Sequence, residues 1–372
     1  MPELEQRQIT YCTNVHPAES WEETFAALRE HVPAVKDAVA PQHPFPIGLR
    51  LSARAAGELA ADGGAVFARW LRDQNCYVPA INGFSYGAFH GRAVKRNVYL
   101  PDWHSRERAS YTKLLADLLA QWLPRGMTGS ISTVPVGFRA NACSAEHRAR
   151  LLEVLTHLER LKEERGADIV LALEPEPACL LETTADLVGF LEGMDFPKPL
   201  RERIGICLDC SHLALQFEEP AEVLSLLAKG GVRIGKVQVS SALSAKHAQR
   251  DALRQFVEPT YLHQVVVRSG NGSLSRYEDL PGALERHRGE GGDEWRCHFH
   301  LPIFLEQAGG YQTTRHFAEQ LLPLLDPGVL LEVETYTWNV LPPRFRAEGL
   351  TGSIIREIRW LKERIDATDR RP

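Results

Sequence analysis

Four short apolar runs in this chain each stop at a side chain carrying oxygen or nitrogen, and that repetition limits the folds open to it. Residues 169–173 end at Glu174, with Pro175 behind it; 204–208 end at Asp209, with His212 three positions on. Residues 233–237 end at Gln238, and 329–333 contain Glu332 and end at Glu334. Pro175 cannot donate to a sheet ladder and so closes its strand. The runs are too uniformly apolar for half-exposed strands, and helical patterns lie between them, which is how strands covered on both faces by helices read. The pattern predicts a parallel (β/α)8 barrel with its site where the C-terminal strand ends converge.

The remaining strands can be placed around these four. Residues 9–13 read as a first strand leading to Asn14-Val15-His16, and Ser20-Trp-Glu-Glu23 matches a capping box opening a helix. Strand two covers 45–52 and carries Arg50; strand three covers 76–81; strand four covers 129–134. The stretch 82–103 is a long loop rich in aromatic and basic residues, His90, Lys95 and Arg96 among them, and suits a polar ligand, phosphorylated ones included, or reads equally as a solvated loop. Ser144 caps a helix with a stripe of Leu151, Val154, Leu155, Leu158 and Leu161, and Pro220 opens another. Each βα unit takes about 30 residues until Gln238, whereas the interval to Glu334 is about three times longer. An insertion over about 243–305 is therefore expected within one domain spanning 1–372. It contains a hairpin turning at Asn271-Gly272 and then His298-Phe299-His300, whose imidazoles share a face when extended. A last helix over about 351–366, capped by Thr351 or Ser353, buries Ile354, Ile358, Leu361 and Ile365.

Bulk properties exclude some functions. The net charge is −5 with no long basic run, against the electrostatics of a nucleic-acid partner. No run of roughly 18 apolar residues occurs, so no membrane insertion is expected, and the opening Met-Pro-Glu-Leu-Glu-Gln does not read as a leader, which points to the cytoplasm. Seven scattered cysteines suit reduced thiols, and Cys207-Leu-Asp-Cys210, lacking a second pair, reads as structural.

Carboxylates on separate strands, joined by an amide or imidazole, suit a divalent cation. Glu174, Asp209, Gln238 and Glu334 are the candidate ligands; any one alone reads equally as a polar strand terminus. Glu332 shares Glu334's face one layer deeper, and Glu176 follows Glu174 into the loop. His298 and His300 either reach the metal from the insertion or pack. His16, Arg50, His90, Glu176 and His298 are the candidate substrate contacts, Arg50 reading equally as a structural ion-pair partner.

Leu173-Glu174-Pro175-Glu176-Pro177, Leu208-Asp209-Cys-Ser-His212 and Val333-Glu334-Thr335-Tyr336 resemble the strand-five, -six and -eight motifs of xylose isomerase-like TIM barrels, the superfamily that includes the family-two apurinic (AP) endonucleases. Tyr11-Cys-Thr-Asn-Val-His16-Pro, Glu19-Ser-Trp21-Glu, His298-Phe-His300-Leu-Pro302 and Glu332-Val-Glu-Thr-Tyr-Thr-Trp338 are similar to the bacterial EboE family, called metabolite traffic proteins. The resemblance implies a divalent metal (Mn, Zn, Mg or Co) and a small sugar or cyclitol substrate, with or without phosphate, in a pathway with protein partners. It does not fix the reaction; the leading reading is an isomerase or epimerase in which Glu174 and Glu334 bind metal and exchange the proton, Asp209 holds metal and His212 orients a hydroxyl. Where the superfamily commonly has a strand-seven histidine this chain has Gln238, and His300 stands as its replacement. A non-catalytic metabolite carrier and an endonuclease-like phosphodiesterase are the alternative readings.

Overall fold

The apolar runs form the inner ring of the computed structural model, which describes residues 7–139, 145–289, 291–308 and 310–369. The Ser144 cap lies outside them. The ring strands are β1 (Ile9–Tyr11), β2 (Phe45–Arg50), β3 (Cys76–Asn82), β4 (Thr128–Thr133), β5 (Asp168–Leu173), β6 (Ile204–Asp209) and β7 (Arg233–Val239). After β7 a second sheet intervenes, of β8 (Ser241–Lys246), β9 (Val265–Arg268), β10 (Leu274–Tyr277), β11 (Glu294–Leu301), β12 (Gln307–Ala308) and β13 (Tyr311–Thr313), before the last ring strand, β14 (Leu331–Val333). The ring order is β1-β14-β7-β6-β5-β4-β3-β2, every pairing parallel, and a parallel bridge from Cys12 to Gly48 joins its two edges. The result is a nearly closed (β/α)8 barrel.

Its interior holds a buried ion pair. Lys236 of β7 and Glu332 of β14 form an ion pair of 2.5 Å, both side chains fully buried. Gly48 leaves the room: a Cβ there would stand 2.0 Å from Glu332 Oε2.

The second sheet is antiparallel in the order β10-β9-β11-β8-β13-β12 and runs from Ser241 to Thr313, wider than the interval marked by spacing alone. It encloses its own apolar cluster, including Trp295, Phe299, Phe256 and Val267. Cys297 pairs with Leu243 but Leu301 pairs with Ser241, so β11 carries two extra residues between these points. Such a bulge bends a strand and redirects its side chains. Here it turns His298 and His300 towards the barrel mouth.

Ser20 and Glu23 make the reciprocal cap of the Trp21–Val39 helix. The last helix, Gly349–Asp369, begins earlier than its sequence signals suggest, so Thr351 and Ser353 lie within it, and Thr351 Oγ1 instead meets His31 Nδ1 at 2.9 Å. Ile354, Ile358, Leu361 and Ile365 are buried on its inner face. Beside them Glu357 accepts from Ile303 N–H at 3.0 Å and from the Thr335 hydroxyl at 2.7 Å, joining helix, insertion and β14 loop. Burial pushes its carboxyl up to about 7, against those hydrogen bonds. The folded state therefore holds this proton more tightly than the unfolded chain does. Its contribution is complete below about pH 4.5 and lost as pH rises through about 7, up to roughly 3 kcal/mol. Glu357→Gln keeps an acceptor oxygen and removes the titration. Urea unfolding at about pH 5 and about pH 8 should show wild type losing stability relative to the variant as pH rises; parallel losses would count against this. Among the described residues no helix is long and apolar enough to cross a membrane.

Candidate functional site

Asp209 ends β6 and caps the following Cys210–Leu215 helix. Its Oδ1 accepts from Ser211 N–H (2.8 Å), His212 N–H (3.0 Å) and the Ser240 hydroxyl (2.8 Å). This fixes the carboxylate and leaves Oδ2 buried with no protein hydrogen bond, 4.0 Å from His300 Nε2. The same cap sets His212 in the helix's first turn.

Three imidazoles meet there, each with Nδ1 held by an acceptor. His212 Nδ1 donates to Pro175 O (3.0 Å), His298 Nδ1 to Gln264 Oε1 (2.7 Å) and His300 Nδ1 to Glu334 O (3.0 Å). The Gln264 amide is oriented in turn, because its Nε2 donates to the Tyr99 hydroxyl (2.9 Å) and Pro177 O (3.1 Å). With the proton on Nδ1, each Nε2 presents a lone pair. His298 Nε2 lies 3.1 Å from His212 Nε2 and 3.2 Å from His300 Nε2. Converging lone pairs repel unless a cation lies among them, and an outer acceptor on the second ring nitrogen is how metal-ligating histidines are held.

The carboxylates repeat the theme. Glu174 with Asp209 and His212, and Glu334 with Asp209 and His300, each bring three ligand atoms within 4.8 Å. Glu174 Oε2 has no hydrogen-bond partner, whereas Glu334 Oε1 accepts from Asn14 Nδ2 (2.7 Å) and Asn82 Nδ2 (3.3 Å). Burial, then the charge of Glu334, pushes Glu174 well above the usual carboxylate range; burial, then Asp209, does the same to Glu334. Burial also works to raise Asp209, but His212, His300 and its hydrogen bonds outweigh it and hold that carboxyl low. Burial, then the neighbouring imidazoles, depresses His298 far below the ordinary histidine value, and burial brings His300 down to about 4. Three imidazole nitrogens beside unpartnered carboxylate oxygens fit a divalent cation such as zinc or manganese.

Gln238, expected as a ligand, faces the interior, where its Oε1 accepts the Cys207 thiol (2.7 Å) and its Nε2 is buried with no hydrogen-bond partner among the described residues. His298, expected as a substrate contact, is the central member of the histidine group. Glu332 is engaged by Lys236. Glu176 lies beside the site, accepting from the Tyr99 hydroxyl at 2.7 Å.

Above these groups is a pocket of about 520 Å³ with a polar base and a wall of Phe84, Phe89, Tyr261 and Tyr336. The loop after β3 closes it by docking on the insertion: Val94 N–H donates to Thr260 O (2.8 Å), Lys95 Nζ meets Asp279 (2.8 Å) and Arg96 pairs with Glu278. His90 stands behind the wall, bonded to Asn14 O (2.5 Å) and the Tyr261 hydroxyl (2.8 Å). His16 is turned outward by the Thr13–Val15 turn and stacks on His31, ring centres 4.3 Å apart. Arg50 braces loops, donating to Ala18 O (2.5 Å) and Gly87 O (2.6 Å). Asn14, Asn82 and Gln264 position the site's acids and imidazoles. Neutral amides form no pattern that singles them out in one sequence, although Asn82, at the end of a ring strand, could have been inferred from its position.

A family model described as xylose isomerase-like TIM barrel matches residues 37–291. No curated protein sequence matches the chain. Among solved structures, a xylose isomerase-like TIM barrel protein from Mycobacterium smegmatis, in complex with magnesium, aligns with a TM-score of 0.54 at 12% identity, covering 99% of this chain and 99% of that chain. A D-tagatose 3-epimerase-like protein aligns with a TM-score of 0.51 at 12% identity, covering 97% of this chain and 98% of that chain. The probable 3-DHS dehydratase AsbF, involved in petrobactin synthesis, from Bacillus anthracis aligns with a TM-score of 0.50 at 15% identity over 95% of this chain and 98% of that chain. At such identities the structural likeness carries the fold alone. The match in sequence spans most of the barrel and agrees with its parallel ring: the chain belongs to the xylose isomerase-like TIM barrel family.

Proposed function

We propose that the protein is a metal-dependent isomerase or epimerase of an unphosphorylated sugar or cyclitol. The observation that carries this is the convergence of three Nδ1-anchored imidazoles beside the free Oδ2 of Asp209. In this reading Asp209, His212, His298 and His300 hold the metal, with Glu174 and Glu334 within reach of it on either flank. A divalent metal there supplies polarisation of a hydroxy-carbonyl pair.

Glu174 and Glu334 are the acid–base pair. Both are buried with raised proton affinity, so one can hold the proton that the other lacks, as two-carboxylate proton exchange requires. Asn14 and Asn82 fix the Glu334 carboxylate, and the aromatic wall seats the carbon face of the ring while excluding water. The preference for an unphosphorylated substrate follows from charge: Lys95 is engaged by Asp279, Arg50 by loop carbonyls, and the pocket base is rich in carboxylates. The similarity to EboE sequences supports a place in the making or export of a metabolite, alongside that pathway's proteins. The six described cysteines are unbridged, which suits the cytoplasm.

The test is incubation of manganese-loaded protein with unphosphorylated ketoses and cyclitol ketones in deuterium oxide. Deuterium should enter the carbon next to the carbonyl, and Glu174→Gln or Glu334→Gln should stop it. Tight ligand binding with no exchange would make the protein a carrier and overturn the enzymatic reading.

A further inference from the structure

We propose a second metal site, structural and suited to zinc, at the far end of the insertion, built from His247, His287 and Asp293. Its ligand atoms lie within 4.8 Å of one another. Each comes from a different segment: His247 directly follows β8, His287 ends the Leu280–Arg286 helix, and Asp293 directly precedes β11. His247 N–H donates to Asp293 O at 2.9 Å, fixing the first and last of these side by side.

The side-chain arrangement distinguishes a ligand set from an ordinary polar network. Asp293 Oδ2 lies 2.8 Å from His287 Nε2 and 3.9 Å from His247 Nδ1. The Tyr277 hydroxyl is 2.9 Å from His287 Nδ1, orienting that ring as an outer partner does in metal sites. A histidine–aspartate–tyrosine chain would account for these three residues without His247. Yet His247 Nδ1 is shielded from solvent, has no hydrogen-bond partner and faces the same carboxylate oxygen. Burying an unpaired nitrogen is unfavourable, and a cation shared with Asp293 and His287 removes that cost. Gly289 closes over the group so tightly that a Cβ would fall 1.7 Å from Asp293 Oδ2 and 2.1 Å from His287 Nε2. A side chain at position 289 would push these two groups out of their present places.

Two imidazole nitrogens and one carboxylate oxygen suit zinc, with water completing four-coordination. Bound there, zinc would tie the end of β8 and the Leu280–Arg286 helix to the start of β11, the strand that delivers His298 and His300. The site does not depend on the proposed reaction.

The experiment uses the full chain with His298→Ala and His300→Ala, which remove two barrel imidazoles, and the same variant with His247→Ala added. Among the described residues the His247 side chain makes ring contacts with Trp295 and His287 and its Nδ1 accepts no hydrogen bond, so its loss should not unfold the metal-free protein, and circular dichroism checks this. Zinc titration with elemental analysis should find one tightly bound equivalent and a higher melting temperature in the first variant. Adding His247→Ala should weaken that binding by more than about a hundredfold, the upper range for loss of an outer-shell partner. X-ray absorption should show two nitrogen-type imidazole ligands in the first variant. Absence of stoichiometric zinc there, or equal affinity with and without His247, would overturn the site. If wild type and the first variant bind the same single zinc and His247→Ala removes it, the insertion site stands and the barrel reading fails.

Discussion

Asp209→Asn is expected to cost the barrel one tightly bound equivalent of metal and to lower turnover by about a thousandfold, roughly 4 kcal/mol of transition-state stabilisation. Asparagine can present its oxygen to Ser211 N–H, His212 N–H and the Ser240 hydroxyl, the partners now held by Oδ1, so the cap survives. What changes is Oδ2, the atom with no hydrogen bond that faces His300. An amide nitrogen there cannot ligate. If Asp209 serves only as a cap, the variant should be nearly silent, because asparagine and aspartate cap helices equally well. Elemental analysis after dialysis, melting temperature and kcat on the deuterium-exchanging substrate separate the two: metal and turnover fall together while the fold holds, or neither falls.

Lys236→Met should destabilise the protein by about 3–5 kcal/mol, the range for removing one partner of a buried ion pair. Both partners are fully buried, so solvent does not screen the pair, and Glu332 Oε2 already lacks any other hydrogen bond. Glu332 Oε2 occupies the space that a Cβ on residue 48 would take. Combining Lys236→Met with Glu332→Met should restore most of the loss, since an apolar pair of similar volume is often neutral or stabilising relative to a buried salt bridge. Urea unfolding of the two single variants and the double variant measures this. A Lys236→Met cost below about 1 kcal/mol, or a double variant no better than the single, would contradict it. The Lys236 charge also works to lower the proton affinities of Glu174 and Glu334, so its loss should favour their protonated forms.

The barrel was legible because parallel strands buried on both faces leave apolar runs that end abruptly at polar residues; Glu174, Asp209 and Glu334 end those runs, and the structure brings Asp209 together with each of the two glutamates. His298 and His300 could be seen as a pair sharing a face. Their position over the barrel depends on a bulge, and the pairing offset between Cys297 and Leu301 is set by the partner strand rather than by local sequence. His16 reads as a residue of the loop after β1, but in the structure it follows the Thr13–Val15 turn and stacks on His31, and Asn14 lines the pocket. Gln238 sits on the inward face that its strand predicts, yet its Oε1 accepts the Cys207 thiol. The spacing shows that extra chain intervenes between Gln238 and Glu334, but β12 and β13 are two and three residues long, too short to leave a periodic signal.

The most direct test of the account is a crystal structure of the protein loaded with zinc or manganese, with anomalous data collected at the metal edge. A peak is expected about 2.0–2.2 Å from the Nε2 atoms of His212, His298 and His300 and from Asp209 Oδ2. A metal centred instead on Gln238, or no peak among the three imidazoles at saturating metal, would contradict it.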